Sequence, residues 1–428
     1  MSIPEHKQFL SHSVTQPIFL SNNFTHDSIY HPERTKYSYS RTKNPNFTNL
    51  EECIQKIYGT ENTILCCSGT LAISSVFNVL YDAKANNVFI VDREIYGGTK
   101  SLLKYMKNKF TNLIIEVVDL TNIRLLKKIF DKYGTSIKLI FTESCSNPSG
   151  RYIDTQSIHN IYKINYPNLE IIVDNSWLSA LYNPIKFGAT IIVESLSKYM
   201  SSGDAIMGMI TGKNNEVMNN IKRYANCNGI RTSQFDAYNL VKSISTLNFR
   251  LEKVSNTALK IATFLESLPC ISSVMYPLLE SHPTFEVSNK FLEFGPGVIW
   301  FHIPIIYTKA IELLGSSNKI LFATSYGKAE SLFDPYPKIQ KLKLGSKTIC
   351  GTWLRLAIGY AQTEQEIKNE LVLMFLKFLA IPIENIPTDA LTDNNLFAIN
   401  ENNIFIPSND LDDLNNIKGK LYKWINIE

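Results

Sequence analysis

Between residues 60 and 195, short apolar runs alternate with longer stretches in which apolar residues recur every three or four positions. The runs are "NTILCCSG", "NVFIVDR", "LIIEVVD", "LIFTES", "EIIVDN" and "ATIIVES". Strands this short and hydrophobic on both faces, spaced by helix-length segments such as 100–109 and 122–133, predict a parallel sheet covered by helices on both sides. Upstream, Leu50, Cys53, Ile54, Ile57 and Tyr58 share one helical face. Thr48 and Glu51 have capping-box spacing, and Gly59 marks the helix end. Downstream, 235–268 has helical periodicity, "GVIWFHIP" and "WLRLAIG" predict strands, and "TKAIELLG" and "TEQEIKNELVLMFLKFL" predict helices. The pattern divides the chain into a polar, turn-rich arm (1–49), a large α/β domain (50–240), a smaller α+β domain (241–380) and an Asn- and Asp-rich extension (381–428).

At 428 residues the chain has room for two cores, since one core rarely grows past about 250–300 residues. With 44% hydrophobic and 19% charged residues it reads as an ordinary globular protein rather than a disordered one. A formal charge of +4, with lysines scattered, lacks the footprint of a nucleic-acid binder. The local cluster "KIQKLKLGSK" (338–347) reads as a solvated loop. Seven cysteines without a CxxC pair argue against a disulfide framework and a zinc site, so no metal is expected and a reducing compartment fits. With no signal-peptide pattern at the N-terminus and no membrane-length apolar window, the expected location is the cytoplasm and no membrane partner is expected.

In an open parallel sheet ligands bind beyond the carboxyl ends of the strands, so the polar residues that end the apolar runs are the candidates for chemistry. "IIVDN" ends in Asp174, "IIVES" leads to Ser195, Ser197 and Lys198, "IFTESCSNP" ends in Glu143 and Asn147, and "VFIVDREIYGG" ends near Tyr96. "CCSGT" sets Ser68, Gly69 and Thr70 at the start of a helical run, where free N–H groups and the helix dipole favour an anion. Taken singly, each has a plainer reading: "SGT" as a helix cap, Asp174 as a turn cap, Tyr96 as a core aromatic, Arg41 as a surface residue. Arg355 lies in an apolar strand and needs a carboxylate partner, either a substrate's or an internal Asp or Glu. Cys145 and the other cysteines read as small buried hydrophobes. Together the set meets the needs of a pyridine cofactor with a phosphate arm. It offers a lysine for an imine, a carboxylate for the ring nitrogen, an aromatic for the ring face and donors for the phosphate.

The segments "YSYSRTKNP", "CCSGTLAI", "IYGGT", "ESCSNPSGRYID", "VDNSW", "ESLSKYM", "QFDAYNLVKSISTLNFRLEK", "YPLLESHP", "SYGKAESL" and "WLRLAIG" run in the order found in the Cys/Met-metabolism family of pyridoxal-phosphate (PLP) enzymes. From about Pro17 to about Leu379 the chain resembles that family of cystathionine synthases and lyases, methionine lyases and homoserine-ester sulfhydrylases. The resemblance implies the type I PLP-dependent transferase fold, α/β with a mostly parallel sheet flanked by helices. It also implies that Lys198 carries the cofactor and acts as base, that Asp174 pairs with the ring nitrogen, and that Tyr96 stacks on the ring and assists proton movement. Gly69, Thr70, Ser195 and Ser197 hold the phosphate. Tyr39 and Arg41 reach the phosphate of a neighbouring subunit, so the active unit is a homodimer and usually a pair of dimers. Arg355 binds the substrate carboxylate, with Asn147 and Ser325 placing it.

The implied activity is elimination or replacement at the β- or γ-carbon of an amino acid, starting with loss of its α-proton. The chain departs from the family pattern where the substrate is read. Thr324 and Tyr326 replace the usual Glu and Leu or Trp around Ser325, "SSGDA" replaces the run after the lysine, Asn46 and Phe47 follow Pro45, and Asn175 and Ser176 follow Asp174. These changes keep open a specialised enzyme of the same family with a non-sulfur substrate. An aminotransferase shares the lysine and aspartate logic, and a non-catalytic scaffold is the third alternative, though it gives no reason to keep Lys198, Asp174 and Arg355 together.

Overall fold

The computed structural model describes residues 16–26, 30–31, 36–213, 215–268, 270–305, 307–336, 341–344, 347–379, 397–399 and 405–407. Helix α1 (Pro45–Tyr58) opens the body of the chain. It begins a turn earlier than the capping-box spacing predicts. The Asn44 side chain accepts from the N–H of Asn46 at 2.9 Å and Pro45 takes the first helical position, so Thr48 is already interior. Glu51 pairs instead with Arg231 at 2.7 Å. Gly59, at φ +62°, closes the helix in the left-handed conformation, as predicted.

The predicted strands form β1 (Asn62–Cys66), β2 (Asn87–Asp92), β3 (Leu113–Val118), β4 (Ile137–Glu143), β5 (Glu170–Asp174) and β6 (Ile191–Ser195). A further strand, β7 (Gly208–Gly212), escapes the periodicity argument because its five residues, "GMITG", carry a glycine at each end. The seven strands lie in the order β1-β7-β6-β5-β4-β2-β3. β7 runs antiparallel to both β1 and β6, while β2 through β6 pair in parallel, so the sheet is mostly parallel. Gly208 is required where β7 begins: a Cβ there would stand 2.3 Å from the carbonyl oxygen of Ser68.

Helices α2 (Gly69–Leu80), α3 (Gly97–Lys109), α4 (Ile123–Tyr133) and α5 (Thr155–Tyr162) connect the strands, and α6 (Asn215–Asn228) follows β7. One apolar layer packs α2, α3 and α6 against the sheet and another packs α4 and α5 against its other face. The predicted helical stretch 235–268 is two helices, α7 (Gln234–Ile244) and α8 (Leu247–Glu266), broken where the hydroxyls of Ser245 and Thr246 bond back to main-chain carbonyls.

A second sheet orders β10 (Leu321–Phe322), β11 (Leu332–Tyr336), β14 (Thr352–Ala357), β9 (Val298–Ile303) and β8 (Ser273–Met275). Helices α9 (Phe285–Phe291), α10 (Tyr307–Gly315) and α11 (Glu364–Leu379) accompany it, and its apolar face joins α1, α8 and the Lys198 turn in a single core. The predicted loop 338–347 holds parts of a hairpin, β12 (Lys341–Leu344) and β13 (Lys347–Cys350), and its remaining residues lie outside those described. Of the extension 381–428, a short hairpin of β15 (Phe397–Ile399) and β16 (Phe405–Pro407) is described. Among the described residues no helix is long and apolar enough to cross a membrane.

One polar knot lies inside the core beneath the end of β6. The buried Glu194 accepts from Tyr58 Oη at 2.5 Å and from Ser179 Oγ at 2.6 Å. Asn175 donates to Tyr58 Oη and to the carbonyls of Ser179 and Tyr182. Burial raises the Glu194 carboxyl to about 8, against the lowering effect of its two hydroxyl donors. Since the folded value lies above the unfolded one, the native state keeps a proton between about pH 4.5 and 8 that the unfolded chain releases. This contribution to stability therefore falls as pH rises through that window, by on the order of a few kcal/mol. Glu194→Gln removes the titration. The melting temperature of the wild type, measured relative to this variant, should fall as pH rises from about 5 to about 8, and parallel curves contradict the assignment.

Candidate active site

The carboxyl ends of β4, β5 and β6 open into a cavity of about 810 Å³, whose far wall comes from residues 324–328 and from Asp334 and Arg355 of the second sheet. Ten of the twelve residues singled out from the sequence line it: Gly69, Thr70, Tyr96, Asn147, Asp174, Ser195, Ser197, Lys198, Ser325 and Arg355. Tyr39 and Arg41 do not. They lie on the arm, where Tyr39 pairs with Asn23 as an isolated bridge and is half exposed. The Arg41 guanidinium sits 5.6 Å from the Tyr39 ring.

Lys198 stands in the tight turn that follows β6. The buried side chains of Leu196, Tyr199 and Met200 anchor the turn, and Tyr199 Oη accepts from the N–H of Gly297 at 3.0 Å. Gly327, at φ +85°, lies so close beneath that a Cβ would stand 2.7 Å from the Tyr199 nitrogen. Lys198 Nζ donates to Ser325 Oγ at 2.7 Å and lies 5.1 Å from the centre of the buried Tyr326 ring. Ser325 holds φ +90°, a left-handed backbone that costs a non-glycine residue about 1–3 kcal/mol, which points to a functional constraint on its hydroxyl. Burial lowers the proton affinity of the Lys198 ammonium, Arg355 and Lys328 lower it further, and Asp174 opposes them. An amine so placed is readied as a nucleophile.

Asp174, at the end of β5, is oriented by its neighbour. Oδ1 accepts from Ser176 Oγ at 2.6 Å and from the Ser176 N–H at 3.0 Å, while Ser176 Oγ accepts from the Ser195 N–H at 2.8 Å. This relay ties the aspartate to the end of the next strand. Burial raises the Asp174 carboxyl above its ordinary value, and the Ser176 bonds and Lys198 pull it back. Glu143, at the end of β4, has a different task. Its two oxygens accept from the N–H groups of Tyr96 at 2.5 Å and Asn147 at 3.0 Å, so one carboxylate sets both loops. Burial and the nearby Asp174 push its carboxyl well above the ordinary range.

An anion cradle forms where α2 meets β6. Ser68 caps the helix by accepting from the N–H of Leu71 at 3.1 Å, and the first N–H groups of a helix have no intrahelical partner. Gly69 brings that first turn against β6: a Cβ there would stand 2.8 Å from the Cβ of Ser195. Ser197 Oγ bonds the main chain of Met207, donating at 3.1 Å and accepting at 2.9 Å. Tyr96 precedes α3, and its ring folds back over Gly98, where a Cβ would meet Tyr96 Cε1 at 2.3 Å. An amine, an oriented carboxylate, an exposed aromatic face and a helix N-terminus therefore share one cavity, and this donor set fits pyridoxal phosphate.

Arg355 and Asp334 face each other across the β11–β14 pair and bond at 2.7 Å, with Asn147 Oδ1 at 3.5 Å from the other guanidinium nitrogen. The internal carboxylate left open by the sequence is therefore present, 21 residues before the arginine. Thr324, Tyr326 and Ser176, noted in the sequence as departures from the family pattern, also line the cavity, whereas sequence reasoning missed Lys328 and gave Glu143 no role. Cys145 is buried, and burial with the nearby Glu143 pushes its thiol up, consistent with the packing role expected for it. Among the described residues no group of three or more His, Cys, Asp or Glu side chains is placed to hold a metal ion.

Cystathionine gamma-synthase of Haemophilus influenzae is 31% identical over 371 residues, which cover 85% of this chain and 93% of that protein. Cystathionine gamma-lyase of Rattus norvegicus is 28% identical over 378 residues, covering 86% and 92% of the two chains. Among solved structures, cystathionine gamma synthase from Xanthomonas oryzae pv. oryzae in complex with aminoacrylate and cysteine superposes with a TM-score of 0.77 at 25% identity, over 85% of this chain and 93% of that one. The family described as "Cys/Met metabolism PLP-dependent enzyme" matches residues 2–372, and on that match the chain belongs to this family.

Proposed function

We propose that Lys198 holds the cofactor and moves the substrate α-proton in the elimination or replacement reaction of a PLP-dependent C–S lyase or synthase acting on an amino acid. Pyridoxal phosphate, when bound, supplies an electron-withdrawing ring that acidifies the substrate α-carbon. The observation that carries the assignment of roles is the Lys198 amine, desolvated and held by Ser325 at 2.7 Å, in the same cavity as the oriented carboxylate of Asp174.

Asp174, fixed by Ser176, keeps the ring nitrogen protonated. An opposite charge in a site shielded from water stabilises the cation. Tyr96 would cover the ring face, and the first turn of α2 with Ser195 and Ser197 would hold the phosphate. Arg355 takes the substrate α-carboxylate. Asp334 holds one guanidinium nitrogen at 2.7 Å and Asn147 Oδ1 lies 3.5 Å from the other, which fixes the plane of the fork. With the cofactor bound, Lys198 Nζ would be the base that takes the α-proton and delivers it towards the departing group, with Ser325 Oγ holding the amine between the two positions.

Tyr39 and Arg41 belong to a second copy's site in this reading. They lie outside the chain's own cavity, exposed on an arm that Asn44 Nδ2 holds by donating to the Phe19 carbonyl at 3.0 Å. The active unit is accordingly a homodimer, and two such dimers pair.

Lys198→Ala should lose the visible absorbance of the purified protein and lower turnover by at least about a thousandfold. A coloured, active variant contradicts the role. Arg355→Ala should raise KM for the amino-acid substrate by at least about tenfold with a smaller effect on kcat, and an unchanged KM removes Arg355 from the site. Gly69→Ala forces a methyl group to within 2.8 Å of the Ser195 Cβ, so cofactor titration of the apo-protein should show affinity weakened by about tenfold. Wild-type affinity in that variant contradicts the cradle.

A further inference from the structure

Three carboxylates line the cavity, and each is committed. Glu143 holds the Tyr96 and Asn147 amides, Asp174 is bound by Ser176, and Asp334 is paired with Arg355. Three cations line it as well: Lys198, Arg355 and Lys328. Lys198 has the cofactor to carry and Arg355 the α-carboxylate, which leaves Lys328 without a task. Among the described residues its Nζ has no hydrogen bond and no ion pair. Its position is nonetheless built. The aliphatic stem lies across Gly203, at φ +83° in the loop after Lys198, where a Cβ would stand 2.6 Å from Lys328 Cε and 2.7 Å from Cγ. Any side chain at 203 displaces that stem. Lys328 is half-buried and lines the cavity, with its stem packed on Gly203. Thr324, on the same segment, brings no charge to the rim.

A cavity with one uncommitted cation and no uncommitted carboxylate discriminates by charge. It attracts a substrate whose far end is negative and gives a distal ammonium nothing to pair with. We propose that Lys328 is a specificity residue that binds an anionic group, carboxylate or phosphate, at the end of the substrate side chain. Resting on the reading of this cavity as the PLP site, this makes the preferred substrate an α-amino acid whose leaving portion carries its own negative charge, as an acidic ester does. An amino acid ending in an ammonium group is disfavoured.

L-2-aminoadipate and L-norleucine test this without turnover, because they share a chain length, lack a leaving group and differ in the distal carboxylate. Calorimetric titration of the PLP-loaded protein should give aminoadipate about tenfold tighter binding than norleucine, the scale of one partly exposed ion pair. Lys328→Met should erase the difference by weakening aminoadipate alone. Lys328→Glu should reverse it in favour of L-lysine. Equal binding of the two ligands by the wild type overturns the proposal. So does a Lys328→Met variant that weakens both ligands alike, since the lysine then serves the shared α-carboxylate. If the wild-type protein is coloured, either result removes this proposal and leaves the cofactor site standing, whereas a colourless wild-type protein that binds neither ligand loses both.

Discussion

A lysine ammonium placed where water is scarce is unstable unless neighbouring groups share its charge or take its proton, and the geometry around Lys198 is organised by that constraint. The Ser325 hydroxyl, held in a left-handed backbone, accepts its hydrogen bond, the Tyr326 ring lies beneath it and Asp174 stands at the end of the adjoining strand. The close approaches that fix the turn depend on positions without a side chain. Gly297 and Gly327 seat Tyr199, and Gly69 and Gly208 press the start of α2 onto the ends of β6 and β7. Each brings backbone to a place where a methyl group would intrude, so the amine and the anion cradle are set by main chain rather than by flexible side chains.

The parts legible in the sequence share a physical origin. Buried parallel strands must be apolar on both faces, so their ends are marked by the first polar residue, and Asp174, Glu143 and Ser195 announced themselves in that way. The parts that were not legible depend on pairing across distance or on local competition. β7 is short and bounded by glycines, Gly208 pressed against the start of α2 and Gly212 against the Thr190 carbonyl, which weakens any periodic signal. Asn44 took the cap from Thr48 because Pro45 fits the first helical position. Asp334 meets Arg355 only through strand register, and nothing in the 20 residues between them reveals that β11 and β14 are neighbours. Tyr39 and Arg41 were named from resemblance, and a single chain leaves them outside its own cavity.

Seen as charges, the cavity has two halves. One is closed on itself: Asp174 with Ser176, Glu143 with two backbone amides, and the Lys198 amine with Ser325. In the proposed reading those groups serve chemistry common to every amino acid that enters. The other half holds the Arg355–Asp334 pair and, beside it, Thr324 and Lys328.

The central claim is that the amine at position 198, and no other lysine, bonds the cofactor. Borohydride reduction of the purified holo-protein followed by proteolysis and mass spectrometry tests it most directly. The reduced pyridoxyl group is predicted on the peptide containing Ser197, Lys198 and Tyr199. A pyridoxyl group mapped to another lysine, or a coloured protein in which the Lys198 peptide stays unmodified, contradicts the account.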